Sequence, residues 1–128
     1  MGQLTENQRA TMTKLFQENN LNEDDVFTHR HYVIIARSGI EKIQLNNNID
    51  VEYKEVVVQP DFVVIKAKAT VGDKTVETYG EAHKTNCQNS YFVAMAEKRA
   101  LSRAVLKSMN YYSLGIFGED EADDFKRR

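Results

Sequence analysis

Hydrophobic and polar positions change their period along the chain. From Ile49 the period is two: Ile49, Val51 and Tyr53 alternate with Asp50, Glu52 and Lys54, predicting a strand over 49–59. Pro60-Asp61 predicts a turn, and Phe62 to Val71 a second strand. In that strand Ile65, Ala67, Ala69 and Val71 face one side, and Val64, Lys66, Lys68 and Thr70 the other. Gly72-Asp73 opens a tight hairpin into a third strand, Thr75 to His83. Gly80 inside it predicts a bulge or a close approach of another backbone.

The period then becomes helical. Tyr91 to Met109 (YFVAMAEKRALSRAVLKSM) has Ala at 94, 96, 100 and 104 and no Gly or Pro. Asn89 or Ser90 can cap it. At about 100° per residue, Val93, Ala94, Ala100, Leu101, Ala104 and Val105 share one face. Lys98, Arg99, Ser102, Arg103 and Lys107 fall on the other. Arg99, Arg103 and Lys107 stack at i, i+4, i+8, where like charges repel. Such a ladder fits an anionic partner or a solvated outer face. Glu97 interrupts the apolar side, and so either pairs with a cation from a neighbouring strand or subunit or sits at the rim.

Before the strands, Leu4 to Asn20 reads as a helix with a Thr5/Gln8 capping box and a narrow stripe of Met12, Leu15 and Phe16. Three such residues cannot hold a lone helix, so it must dock. Leu21 to Phe27 reads as a polar connector, in which Asn22 and Asp25 suit one further turn. His29 and His31 form a His-x-His pair, half of a metal site with no third ligand evident nearby. Tyr32 to Ala36 suits a buried strand or the start of the next helix. That helix is predicted from a Ser38/Glu41 capping box to about Leu45, with Asn46, Asn47 and Asn48 stopping it. After the long helix, Tyr111, Tyr112 and Phe117 either stack on bases or seal the core below the helix end. The expected fold is α+β: a three-stranded antiparallel meander followed by a long helix, with N-terminal helices. The expected divisions are 1–28, a helix and connector; 29–117, the body; and 118–128, an acidic tail.

Composition narrows the function. The chain has 128 residues, 41% hydrophobic and 28% charged, with one Pro, as expected of one soluble domain. No apolar run has membrane-span length and no secretory signal is visible, so no membrane partner is expected. A single cysteine, Cys87, excludes an intramolecular disulfide and fits a reducing cytoplasm. Cys87 reads as a plain loop thiol, since only His83 is near and nothing completes a triad. The net charge of −2 is unevenly spread. Residues 119–128 hold five acids and three bases, whereas Tyr79 to Tyr112 holds five bases and two acids. The acidic tail is therefore expected to compete with anions for the basic helix.

One resemblance adds to this reading. Tyr79-Gly80-Glu81-Ala82, then Ala96-Glu97, Ala100-Leu101, Arg103-Ala104 and Lys107, resemble the single-strand annealing recombination proteins, of the eukaryotic Rad-fifty-two type and the phage Erf type. The likeness covers roughly residues 32–112, and its specific part is about thirty residues long. It implies a β-β-β-α module, assembly into homo-oligomeric rings or filaments, and binding of single-stranded DNA along the helix and hairpin. It further implies strand annealing in recombination and repair, in a phage-like or mobile-element setting in the bacterial cytoplasm. Arg103 takes the place of a DNA-contacting arginine and Lys107 lies near a second basic position. Ser102 stands where many relatives have Lys, Leu106 where an Arg is common, and Met109-Asn110 replaces the glycine expected after the helix.

The expected DNA-binding residues are thus Arg103, Arg99, Lys107, Lys98, Lys66 and Lys68. Annealing needs no bond chemistry, so no catalytic residue, metal, cofactor or small-molecule substrate is assigned. Two other classes stay open: an oligomeric interaction module or phage accessory protein of this fold that does not bind DNA, and a nuclease with Asp50 and Glu52 holding Mg²⁺ near Lys66.

Overall fold

A computed structural model describes residues 6–29, 32–84 and 91–119. The pair 30–31, the Cys87 loop, Thr5 of the first capping box, and the acidic tail beyond 119 lie outside the described residues; so do Asn89 and Ser90, and the cap of the long helix is Tyr91 instead. The His29 side chain also lies outside the described residues, and with it the His-x-His pair.

The period-two region forms an antiparallel meander of β3 (Asp50–Gln59), β4 (Phe62–Val71) and β5 (Lys74–His83), in spatial order β3-β4-β5. The hairpin at Gly72 uses a left-handed residue, φ +57°. The predicted alternation on β4 holds: Ile65, Ala67 and Ala69 are buried and Lys68 is exposed. The one irregularity lies in β3, not at Gly80. Pairing shifts between Glu55 and Val57, leaving Val56 as the extra residue of a bulge.

Helix α3 (Phe92–Ser108) crosses the buried face of β4 and β5. Small residues meet there: Ala96, Ala100 and Ala104 from the helix, Ala67 and Ala82 from the strands, all fully buried. Gly80 is the closest approach. A Cβ on it would overlap the Ala96 carbonyl oxygen and the Ala100 nitrogen, and lie 3.1 Å from Ala100 Cα. Thr78 beside it donates its hydroxyl to the Ala100 carbonyl at 2.8 Å. Gly80 is thus the close-approach glycine of the two alternatives.

A second sheet covers the other side of the helix, and periodicity does not predict it. It comprises β1 (Val26–His29), β2 (Tyr32–Ile35) and β6 (Ile116–Gly118), in order β1-β2-β6, with β2 and β6 parallel. The connector from Leu21 therefore ends in a strand, and Tyr32–Ile35 is strand rather than helix start. Gly118 packs on α3: a Cβ there would lie 3.3 Å from Ser102 Cβ and 3.8 Å from Leu106 Cδ1. This layer corrects the predicted helix faces. Ser102 and Leu106 are buried, whereas Val93 and Ala94, in the first turn, are exposed. The C-terminal half of α3 has protein on two sides, so its solvent-facing arc is narrower than one polar face.

Helix α1 (Glu6–Asn19) docks through Leu15, which is fully buried, with Met12 and Phe16 beside it. Its end is tied down by Asn19, whose amide donates to the Tyr111 hydroxyl at 3.0 Å. Tyr111 is buried, and Phe117 packs between Tyr32 and Tyr112 with ring centroids 5.1 and 5.5 Å away. These aromatics seal the core. The left-handed residues Asn20, Asn48 and Asn110 end or follow helices. Asn110, with φ 60°, does after α3 what the expected glycine would do.

Helix α2 (Arg37–Asn46) starts two residues earlier than predicted. Ala36 is its cap, so Ser38 lies in the first turn and donates instead to the Asp25 carboxylate. Asp25 is buried, and also accepts from Lys42 Nζ at 2.6 Å and the Asn22 N–H at 3.0 Å. Burial alone would raise its pKa. The bonds from Lys42, Ser38 and Asn22, with the Lys42 charge, outweigh that and hold it below the ordinary 3.8. The unfolded chain therefore binds this proton more readily than the folded one. The Asp25 contribution to stability is complete above the ordinary value and is lost as pH falls through the lower, folded one. Acid denaturation of Asp25→Asn should show a shallower loss in that window than wild type.

Candidate nucleic-acid interface

The cation ladder of α3 has partners within the chain. Arg99 donates to the Glu81 carbonyl at 2.7 Å, Arg103 to the Tyr79 carbonyl at 2.6 Å, and Lys107 to the Glu77 carbonyl at 3.3 Å. Geometry explains the match. Four residues of helix advance about 6 Å and two residues of strand about 6.6 Å. Three rungs on α3 therefore meet three alternate carbonyls of β5, running in opposite directions. Because β5 is an edge strand, these donors cover its outer backbone. The repulsion within the ladder is offset by carbonyl dipoles, an alternative to both a foreign anion and a plain solvated face.

Arg103 also forms a two-pronged pair with the Glu81 carboxylate, at 3.0 and 3.1 Å. The pair forms within one chain. Glu97 is exposed. Tyr53 lies where its phenol is raised in pKa, by burial first and the Glu97 charge second. Lys98 is half-buried on α3 and makes no ion pair among the described residues.

The other predicted cations sit on a different surface, the face of the meander turned away from α3. Register sorts this face into rows. Lys54 on β3 lies directly opposite Lys66 on β4, which lies opposite Tyr79 on β5. The next row is Glu52, Lys68, Glu77. Lys66 reaches diagonally to Glu77 at 3.3 Å, while Lys54 and Lys68 make no ion pair among the described residues. Tyr79 is 50% exposed. Phe62 is 37% exposed, and the His83 ring is 6.3 Å from it. The face therefore combines three lysines with exposed rings, interleaved with Glu52 and Glu77. Asp50 and Glu52 both lie on this face, and no cluster of three metal-ligating side chains occurs among the described residues.

Apart from Lys98, the predicted residues divide into two groups. Arg99, Arg103 and Lys107 are joined along the β5 edge, whereas Lys66 and Lys68 are on the open face. Lys54, Tyr79 and Phe62 join the second group without having been predicted. The register of the β4–β5 hairpin, counted from Gly72-Asp73, is the signal that pairs Lys66 with Tyr79.

No family model, curated protein or solved structure matches this chain.

Proposed function

We propose that the chain binds single-stranded nucleic acid on the open face of the meander and serves strand annealing. The observation that carries this is the row Lys54, Lys66, Tyr79. Like charges directly opposite one another on a sheet cost roughly 0.2–1 kcal/mol. A row that accepts this cost beside an exposed ring offers two cations to phosphates and one π-face to a base. Lys68 and the rim of Arg103 and Lys107 extend the positive track along both sides of Tyr79. A base stacked by its face leaves its pairing edge open to a complement, as annealing requires. Duplex DNA hides its base faces and gains only the phosphate contacts. The recombination setting rests on the sequence resemblance.

Tyr79→Ala and Lys54→Gln separate the two contributions. Both side chains are exposed, so folding should persist. Tyr79→Ala should weaken binding to a labelled oligonucleotide by about 1–3 kcal/mol without changing the salt slope. Lys54→Gln should reduce the slope of log affinity against log salt by about 0.7. Equal affinity in both variants and wild type would remove the open face from the reading.

The second reading is an interaction module that binds no DNA. The commitment of Arg99, Arg103 and Lys107 to β5 carbonyls, and Glu52 and Glu77 among the lysines, favour it. Absence of any salt-dependent DNA affinity would select it.

A further inference from the structure

The two edges of the meander are not alike. On β5 the carbonyls of Glu77, Tyr79 and Glu81 are taken by Lys107, Arg103 and Arg99. Among the described residues no strand pairs with β3 on its outer side, which is the open edge of this sheet. β3 is ten residues long and exposes Tyr53, Val56 and Val58 at 42–52%. A long, partly apolar, unpaired strand is a template for another strand. Beyond it, a groove between β3 and the start of α3 is lined by Val58, Val63, Tyr91, Val93 and Glu97.

Sheet extension from copy to copy in a ring would need the β3 edge of one copy to meet the β5 edge of the next. The α3 cations occupy that β5 edge. A two-fold pairing of β3 with itself needs no β5.

The sequence of β3 discriminates among two-fold registers. Antiparallel partners about an axis on residue c are c−k and c+k, and opposed side chains share a face. An axis on Glu52, Lys54 or Glu55 would oppose each of these with its own copy. An axis on Val51 would oppose Asp50 with Glu52. An axis on Tyr53 opposes Glu52 with Lys54 of the second copy, twice, and brings the two half-exposed Tyr53 rings together. Within the regular ladder before the bulge, this is the register that pairs unlike charges.

We propose that β3 pairs with β3 of a second copy about a two-fold axis at Tyr53. The product is a closed dimer with a continuous six-stranded sheet, instead of the ring or filament that the sequence resemblance implies. Closure follows because an isologous contact uses the same patch on both copies and leaves none for a third. The two α3 helices then lie on one side of the joined sheet. The open faces join on the other, which doubles the length of the lysine-bearing surface. The assembly itself does not depend on nucleic-acid binding.

The test is light scattering of the full chain without DNA, at tens of micromolar, for wild type, Glu52→Lys, Lys54→Glu and the double swap. Both substitutions are on exposed positions, and circular dichroism checks that each variant is folded. Wild type should weigh about 29 kDa, twice the 14.7 kDa chain. Each single swap opposes like charges twice and should weaken association by about tenfold or more. The double swap should restore the dimer. A monomeric wild type, a mass of many copies, or single swaps that leave the dimer intact would overturn the proposal. So would a folded double swap that stays monomeric. Absence of DNA affinity in a dimeric wild type would count against the open-face reading alone.

Discussion

Gly80→Ala should lower the stability of the fold by about 3 kcal/mol or more, a fall in melting temperature on the order of 10 °C. The added methyl would meet backbone on two sides, the Ala96 carbonyl and the Ala100 nitrogen. Neither can rotate away as a side chain could. The helix would have to lift from the sheet, opening the contact of Ala67, Ala82, Ala96 and Ala100 and stretching the Thr78 bond to Ala100. Lifting would also pull Arg99 and Arg103 off the β5 carbonyls, so one methyl perturbs packing and edge protection together. Gly72→Ala is the matched control. Nothing lies within 4 Å of a Cβ there, and only the left-handed φ of +57° opposes it, at about 1–2 kcal/mol. Urea denaturation of the two variants should separate them clearly. Equal losses would mean that α3 does not sit on Gly80 as described.

Leu106→Arg should be at least as damaging, at roughly 3–5 kcal/mol, and would leave much of the chain unfolded. The resemblance makes this substitution look conservative, since an arginine is common there. In this fold Leu106 is fully buried, with Gly118 of the second sheet over it. An arginine would lose its hydration against that layer. Ser102→Lys faces the same layer and should fail for the same reason. A folded Leu106→Arg protein with raised DNA affinity would instead mean that the second sheet leaves this side of α3 open.

These two positions mark where sequence reasoning ends. The meander was legible because strict alternation and two turn signals, Pro60-Asp61 and Gly72-Asp73, fix three ten-residue strands almost to the residue. The long helix was legible from its alanines. The second sheet was not, because β1, β2 and β6 have four, four and three residues, too few for a period to register. Without it, the helical period places Ser102 on the outer face of α3, and nothing in the period shows that Leu106 is covered by a second layer. The cation row was hidden for another reason. Counting back from the Pro60 turn without a bulge puts Lys54 opposite Ala67; the extra residue Val56 moves it opposite Lys66. Three consecutive valines carry no sign of where that extra residue falls. The ladder of Arg99, Arg103 and Lys107 was visible, but its partners are backbone carbonyls, which every residue has and no sequence motif marks.

The open-face reading is tested most directly by titrating a labelled single strand, and the matching duplex, into the intact protein between about 50 and 200 mM salt. If Lys54, Lys66 and Lys68 each neutralise one phosphate, the single strand should bind with a log–log salt slope of about −2. It should also bind more tightly than the duplex throughout, and quench tyrosine emission as a base stacks on Tyr79. No affinity at the lowest salt, or duplex bound as tightly as single strand without quenching, would contradict the account.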